Sequence, residues 1–432
     1  MVGSSHLTKG LGGGPFVTNG LGSMNGGFKM SKVTEKNTVV AIKEESSYAA
    51  DPGPTLAAAD CISTLKGTTY KNDYEELTSD DVVRNTFSEA ESSRGGETSA
   101  LEIQTALVGG GRSTDIIVAP EHSVLYKCGF GEDHVLAAND AVSAPAITVN
   151  TCTVTVPANF KKGDGIIIAN TTDGFHLAFI IDVTGSVITW WPSCANMPTA
   201  GDAIYTGANY RLASVAGVES ELPSFFMRKW LHSASIDDRF EYFGQMVKSF
   251  KFNFSSSQHV NPAFSTDGQK VVVTALQPHG FTGIAYDVDA RSRMVAVNMQ
   301  VKLDKATPVT FACQNVELSI ENTLFDPRAV TTSGRSEMVR TDRKVRGSLE
   351  FFYESAVAFQ DFKAETKFKL LLLAHGGGSD DKPVLGNSFA LYAPKIKFLS
   401  PDISVDSGLY KYTIPFQCLA TIGGDELFGS FL

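Results

Sequence analysis

The sequence predicts a mainly β protein with two tandem β-sandwich or β-barrel domains, each with a flanking helix, and a small β-barrel inserted in the first. The first observation is a repeat of landmarks. Cys61 precedes Gly95 by 34 positions, and Cys313 precedes Gly347 by the same distance. An Arg precedes each Gly, and each pair is followed by an alternating apolar–polar run that is typical of a half-buried strand.

The second observation is that later landmarks lie closer together, which indicates an extra segment in the first copy. Residues 242–243 and 391–392 precede similar strands but are separated by less than the early landmarks. The extra segment contains five short strand-like runs with Gly and Asp turns, the pattern of a small β-barrel. The predicted boundaries are a Gly-rich arm at 1–36, domain 1 at 37–131 and 214–284, the insert at 132–213 and domain 2 at 285–432.

Local patterns predict the elements of domain 1. Alternation predicts strands, with ranges 38–45, 62–72, 99–107, 224–233 and 246–257. The acidic stretch 73–92 predicts a long exposed loop. Residues 114–131 predict a helix with an apolar stripe that includes Ile117 and Leu125, and Gly129 suits its C-terminal cap.

Domain 2 shows the same kinds of pattern. Its predicted strands are 294–303, 309–323, 344–355, 388–399 and 409–422. Residues 360–378 predict an amphipathic helix that ends at glycines. The charged stretch 334–346 predicts a loop between two strands.

Composition and motifs argue against most other classes of protein. The 432-residue chain has a formal net charge of −10, which is unlike a nucleic-acid-coating protein but compatible with a surface that DNA slides past. Its six Cys have no metal-ligand spacing, which predicts free buried thiols and no metal or other cofactor. No apolar run is long enough to cross a membrane, and no signal peptide is expected. No catalytic motif is present, so we expect no enzyme activity.

The main alternative function is carbohydrate binding. Trp190 and Trp191 lie side by side in the insert and could form a platform for a sugar on a virion or cell surface. Paired aromatic residues in a strand are more often divided between core and surface.

Charged segments predict contacts between subunits. The acidic loop 73–91 and the basic stretch 334–346 occupy equivalent places in the repeat and have opposite charge, so they are candidate partners in an assembly. The alternative is that both are solvated. The candidate residues are Glu75, Glu76, Asp80, Asp81, Arg335, Arg340, Arg343, Lys344 and Arg346. The Gly-rich arm is either a flexible tail or an arm ordered against another subunit, with Phe16, Leu21 and Phe28 as anchors.

The order of several segments resembles the phage tail tube proteins of long-tailed phages. The segments are VVAIKEESSYAADPGPT, RGGETSALEIQTAL, APEHSVLYKCGFG, TVPANFKKGDGIIIAN, SGRSEMVRTDRKVRGSLEFF and FKLLLLAHG. The resemblance covers roughly residues 37–432. It implies rings that stack into a tube in the virion tail of a siphovirus, assembled in the host cytoplasm.

The resemblance also implies partners and a lumen. Partners would be other copies of the chain, the tape-measure protein and phage DNA in the lumen, and the tail terminator and tail-tip proteins. A chain with two tube units would need three copies for a pseudo-hexameric ring, and the tube would carry DNA during ejection. Strand alternation predicts that Glu102, Gln104 and Glu350 face the lumen, with the insert projecting outside.

Overall fold

The structure is a computed structural model that confirms the mainly β fold. It describes residues 38–50, 53–77, 93–113, 116–135, 138–212, 222–233, 236–256, 258–296, 300–304, 309–310, 313–326, 337–353, 357–377 and 382–432. Within these ranges strands predominate. The helices there are short: α1 at Ser123–Phe130, α2 at Asp287–Ala290 and α3 at Val357–Lys363.

The strands before and within the insert come first in the chain. They are β1 Thr38–Glu44, β2 Cys61–Ile62, β3 Thr69–Leu77, β4 Ser93–Gln104, β5 Arg112–Ser113, β6 Ile116–Ile117 and β7 Gly131–Val135. The insert carries β8 Asp140–Ala141, β9 Thr151–Thr153, β10 Gly165–Asn170, β11 Gly174–Thr184, β12 Val187–Trp191 and β13 Ala203–Thr206.

The remaining strands complete the two halves of the chain. The first half ends with β14 Ala208–Leu212, β15 Phe225–Ser233, β16 Ile236–Ser255, β17 Ala263–Gly268 and β18 Lys270–Thr274. The second half contains β19 Gln300–Leu303, β20 Val309–Thr310, β21 Asn315–Phe325, β22 Val339–Phe352, β23 Lys367–His375, β24 Ser388–Phe398, β25 Asp402–Asp406, β26 Leu409–Cys418 and β27 Phe428–Phe431.

The two halves share one order of strand pairing. In the first half the paired strands run β2–β1–β15–β16–β17–β4–β3. In the second half they run β20–β19–β23–β24–β26–β22–β21. The matched strands also follow the same chain order, with a helix after the fourth strand in each half. The division into two domains remains a proposal.

The landmarks that suggested the repeat do not lie at matched positions. Arg94 is near the start of β4, whereas Arg346 is in the middle of β22. Cys61 lies in β2, whereas Cys313 lies after β20. The equal spacing of these landmarks is therefore not what relates the halves, because the two members of each landmark pair lie at different points relative to the matched strands.

Strand β16 joins the two halves. Along one edge it pairs with β18 and β17, and along the other with β15 and then β21. The β16–β21 pairing runs from Ser249↔Glu321 to Ser255↔Asn315. A continuous run of strands therefore crosses both halves, in the order β3–β4–β17–β16–β21–β22–β26–β25. We call it the long sheet.

One face of the long sheet covers the core. Phe250, Phe252 and Phe254 of β16 are buried there together with Leu318 and Leu349 from the second half. Because successive side chains of a strand point to opposite faces, the residues between them form a second, more polar face.

The insert is a separate six-stranded sheet with the order β8–β13–β10–β11–β12–β9. The bridge Ser143↔Thr153 brings its two ends together, so the sheet is nearly closed into a barrel. The predicted segment 132–213 contains this sheet and also β7 and β14, which pair with each other in the larger sheet. β14 pairs on its other side with β27 of the second half.

Both predicted helices are shorter than expected. Ile117 lies in β6, and α1 begins at Ser123 and ends next to Gly131, so the cap at Gly129 was wrong. A Cβ at Gly129 would lie 2.8 Å from the Phe250 ring, so this glycine allows close packing of the helix instead.

The helix predicted at 360–378 is wrong over most of its length. α3 ends at Lys363, and residues 367–375 form β23. Leu370 and Leu372 face the central core, while Leu371 and Leu373 face the insert. A strand buried on both faces is a continuous apolar run, which periodicity alone does not distinguish from a buried helix.

Candidate functional site: the polar face and edges of the long sheet

The three residues predicted to face a lumen lie on the polar face of the long sheet. Glu102 is exposed, and Gln104 and Glu350 are half-buried, whereas their neighbours Ile103 and Leu349 are in the core. The sequence therefore predicted the alternation of these strands correctly. Whether this face lines a lumen remains a proposal.

Charges of both signs occupy this face, in cross-strand pairs. Lys251 Nζ lies 2.9 Å from Glu317 Oε2 across the β16–β21 seam. Lys411 Nζ lies 3.2 Å from Glu350 Oε2 across β22–β26. In the first half, the corresponding distance from Lys248 to Asp267 is 3.5 Å. The alternation of β22 predicts Glu350 on this face but not its partner Lys411, because the register between β22 and β26 depends on the fold.

A shallow groove of about 290 Å³ follows the seam between the halves. Lys251, Glu317, Glu321 and Arg346 line it together with small residues of β21 and β22. Gly347 is required at this point, because a Cβ there would lie 2.4 Å from the Glu317 carbonyl oxygen and 2.4 Å from the Phe416 ring. The Arg-Gly pair thus allows close strand packing beside an exposed arginine.

Within the part of the chain that the structure describes, each end strand of the long sheet has one edge without a paired strand. Among the described residues, β3 pairs with β4 and with no other strand, whereas its counterpart β21 pairs with both β22 and β16. Within the same ranges, β25 pairs with β26 alone. Its apolar side chains are exposed, at 55% for Ile403 and 63% for Val405. Open apolar edges of this kind are templates for pairing with another chain.

A family model described as phage tail tube protein matches residues 35–418. The match covers most of the chain. The chain belongs to the phage tail tube protein family. It is therefore a structural subunit of a phage tail. Proteins of this family assemble with themselves and with other tail components, and the family is not known for enzymatic activity. No curated protein sequence matches the chain.

The predicted basic loop of this tail tube protein is mostly a strand. Arg340, Arg343, Lys344 and Arg346 lie in β22. Lys344 and Arg346 are exposed, but the Arg343 side chain is 3% exposed and binds Glu426 within the same chain at 2.9 Å. Strand alternation sends these residues to opposite faces, so they do not form one contact patch. The intrachain pair with Glu426 accounts for Arg343 without a second subunit, and the role of the basic segment in subunit contacts remains a prediction.

The other predicted contact residues are described only in part. The backbones of Glu75 and Glu76 belong to β3, so the predicted loop begins later than expected. The remaining candidates lie outside the described residues: Phe16, Leu21, Phe28, Asp80, Asp81 and Arg335. Their roles in assembly remain predictions.

The insert of the tail tube protein packs tightly on the second half. Trp190 is 1% exposed inside the barrel, and Trp191 is 7% exposed with its ring 5.6 Å from that of Tyr392. Phe179 stacks on Tyr392 as well, at 5.2 Å. Both tryptophans are therefore buried, and the predicted carbohydrate platform is wrong because each side of β12 has its own core.

A buried polar cluster fixes the same junction. Asn209 of β14 accepts hydrogen bonds from the Gly165 amide at 2.8 Å and the Ser430 hydroxyl at 2.7 Å. His134 Nδ1 lies 2.9 Å from Asp164 Oδ2. Burial raises the pKa of Asp164, and the interaction with His134 opposes that shift. The insert is thus held by specific contacts to β7, β14 and β27.

The described residues contain no cluster of potential metal ligands and no helix long and apolar enough to cross a membrane. The six Cys are free. Burial raises the pKa of Cys61 to about 11 and that of Cys313 to about 12, so little reactive thiolate exists at neutral pH.

Proposed function

We propose that the long sheet forms the wall of a tail-tube ring, with three copies of the chain per ring and two wall units in each copy. The β16–β21 seam carries this proposal, because it already joins two units of the same topology edge to edge. The polar face would line the lumen, since the opposite face is occupied by the core.

The seam indicates how one copy would join the next. β24 and β25 together take the place of β16, because both pair with β26 as β16 pairs with β17. β24 pairs with β23 as far as Lys397. Beyond that residue, the outer edge of β25 corresponds to the edge of β16 that pairs with β21. The counterpart of β21 is β3. We expect β3 of one copy to pair with β25 of the next, a head-to-tail contact that closes into a ring.

Ring closure would remove both open edges of every copy, which explains why an exposed apolar edge strand is tolerated. Stacked rings would then form the tube of a siphovirus, assembled in the host cytoplasm. The lumen would hold the tape-measure protein and later conduct DNA during genome delivery. The tail terminator and tail-tip proteins would bind the two ends of the tube.

Cysteine cross-linking tests this arrangement. We expect Ser404→Cys combined with Asn72→Cys to give covalent dimers and trimers under mild oxidation, with trimers as the largest closed species. The exposed pair Ser404→Cys and Thr172→Cys is the control, because Thr172 lies in a turn of the insert. Six chains per ring in a reconstruction of the tube would overturn the trimer.

A further inference from the structure

We propose that carboxylates on the polar face mask its lysines from DNA phosphates, so that DNA passes this surface without being retained. This inference rests on the proposed position of the face in the lumen and adds how that surface treats its cargo. Glu317 and Glu350 are the principal masking residues.

The pairs lie on both halves and on the seam between them. Lys248 faces Asp267 in the first half, Lys251 faces Glu317 at the seam, and these distances are 3.5 and 2.9 Å. In the second half Lys411 lies 3.2 Å from Glu350. A cation is therefore accompanied by a carboxylate in each region of the long sheet.

Arg346 also lies close to carboxylates, because of its register on β22. It lies opposite Ser319 on β21, so Glu317 and Glu321 are its diagonal neighbours across the strands. All four residues line the seam groove. Diagonal neighbours are within reach of long side chains, so two carboxylates compete with phosphate for this guanidinium.

The physical reason is counterion release. DNA affinity comes mainly from cations that neutralise phosphates and release condensed counterions. A lysine held by a carboxylate must first give up that partner, and the carboxylate then repels the phosphate. Side chains such as Lys251, which is 51% exposed, would otherwise be free to bind DNA.

The test removes the carboxylates and keeps the lysines. Glu317→Gln with Glu350→Gln leaves Lys251 and Lys411 without their partners. The control, Glu132→Gln with Asp304→Asn, makes the same change in net charge at pairs off the polar face, namely Glu132–Arg211 and Asp304–Lys369. Binding of a short fluorescent duplex DNA is measured by anisotropy on the soluble chain, at several salt concentrations.

We expect the Gln double variant to bind duplex DNA about tenfold more tightly than wild type at low salt, with a steeper salt dependence. Adding Lys251→Gln and Lys411→Gln should return the affinity to the wild-type level. Equal affinity of the double variant and its control, or tight binding by wild type, overturns the inference.

Assembled tubes separate this inference from the proposed function. If the face lines the lumen, duplex DNA retained by tubes of the Gln double variant should be protected from nuclease. Tighter binding by the soluble variant without such protection would leave the masking intact and refute the lumen placement.

Discussion

The far half of β16 and its counterpart β25 occupy equivalent places in the two halves, yet only one of them is covered. β16 pairs with β21 of the same chain, and its Phe252 is fully buried. β25 exposes Ile403 and Val405 and has no partner on its outer edge among the described residues. From this comparison we propose that the exposed edge of β25 binds a strand of another copy, as β16 binds β21.

The residues that follow β16 and β25 differ in exposure in the same way. After β16, Val260 is buried, and its backbone bonds to Leu107 and Met294 at 3.1 Å. After β25, Leu409 and Tyr410 are 57% and 62% exposed. The first half is thus completed within the chain, whereas the second half presents the same region to solvent. The proposed ring predicts this asymmetry, because one junction of each copy would be internal and the other would join the next copy.

Breaking the internal seam should have the largest effect. Phe252→Ala removes a fully buried ring that stacks on Phe254 and Phe389. We expect a loss of about 3–5 kcal/mol in the free energy of unfolding. Chemical denaturation measures it, with Phe252→Leu as the milder control. A loss as small as that of the control would show that the seam contributes little to stability.

The second half should be sensitive at a buried ion pair. Arg343→Ala leaves Glu426, itself only 18% exposed, without its guanidinium partner. Removing one member of a buried pair typically costs about 3–5 kcal/mol, and we expect the low end of that range because Glu426 keeps some solvent. Arg343→Ala with Glu426→Ala should recover part of the loss. Additive losses in this double-mutant cycle would contradict the coupling.

Glu102, Glu350 and Arg343 show how much of the structure can be predicted from the sequence. Alternation placed Glu102 and Glu350 on the polar face because a strand has a period of two. Charge counting placed Arg343 with its neighbours because it ignores which face each residue occupies. The partner of Arg343 is more than 80 positions away in sequence, at Glu426. Only the fold brings such residues together.

Dependence on tertiary contacts also explains why the packing of the insert and the strand β23 could not be predicted from the sequence. The barrel pattern of the insert was visible locally, but its contact with Tyr392 is a tertiary feature. The run at 367–375 is apolar on every side because the insert covers one face of β23 and the central core the other. Without knowledge of that cover, a helix was an equally good interpretation of the pattern.

Blocking the outer edge of β25 should prevent assembly while leaving the chain folded. Tyr410, opposite Val405, accepts a hydrogen bond from the Tyr353 amide at 2.9 Å. The Val405 amide therefore points away from β26, toward the open edge. Val405→Pro removes this donor. We expect less than about 1 kcal/mol of destabilisation and no tubes.

The control for this prediction is Val405→Thr, which keeps the amide and a β-branched side chain. It should form tubes in electron micrographs as wild type does. Normal tubes from Val405→Pro, with an unchanged melting temperature, would show that β25 is not the edge that joins copies.

The smallest effect is expected at Lys344, which tests the two roles considered for the basic segment. Its side chain is 51% exposed, and its ammonium lies 3.7 Å from Asp342. An exposed pair of this kind contributes about 0–1 kcal/mol, so Lys344→Glu should change the melting temperature little. If the polar face lines the lumen, tube formation should also proceed at the wild-type rate, followed by light scattering. If Lys344 instead contacts an acidic segment of another subunit, the reversed charge should slow assembly, and high salt should reduce the difference because it screens exposed charges. Slowed assembly at low salt would therefore support the subunit contact and argue against the lumen.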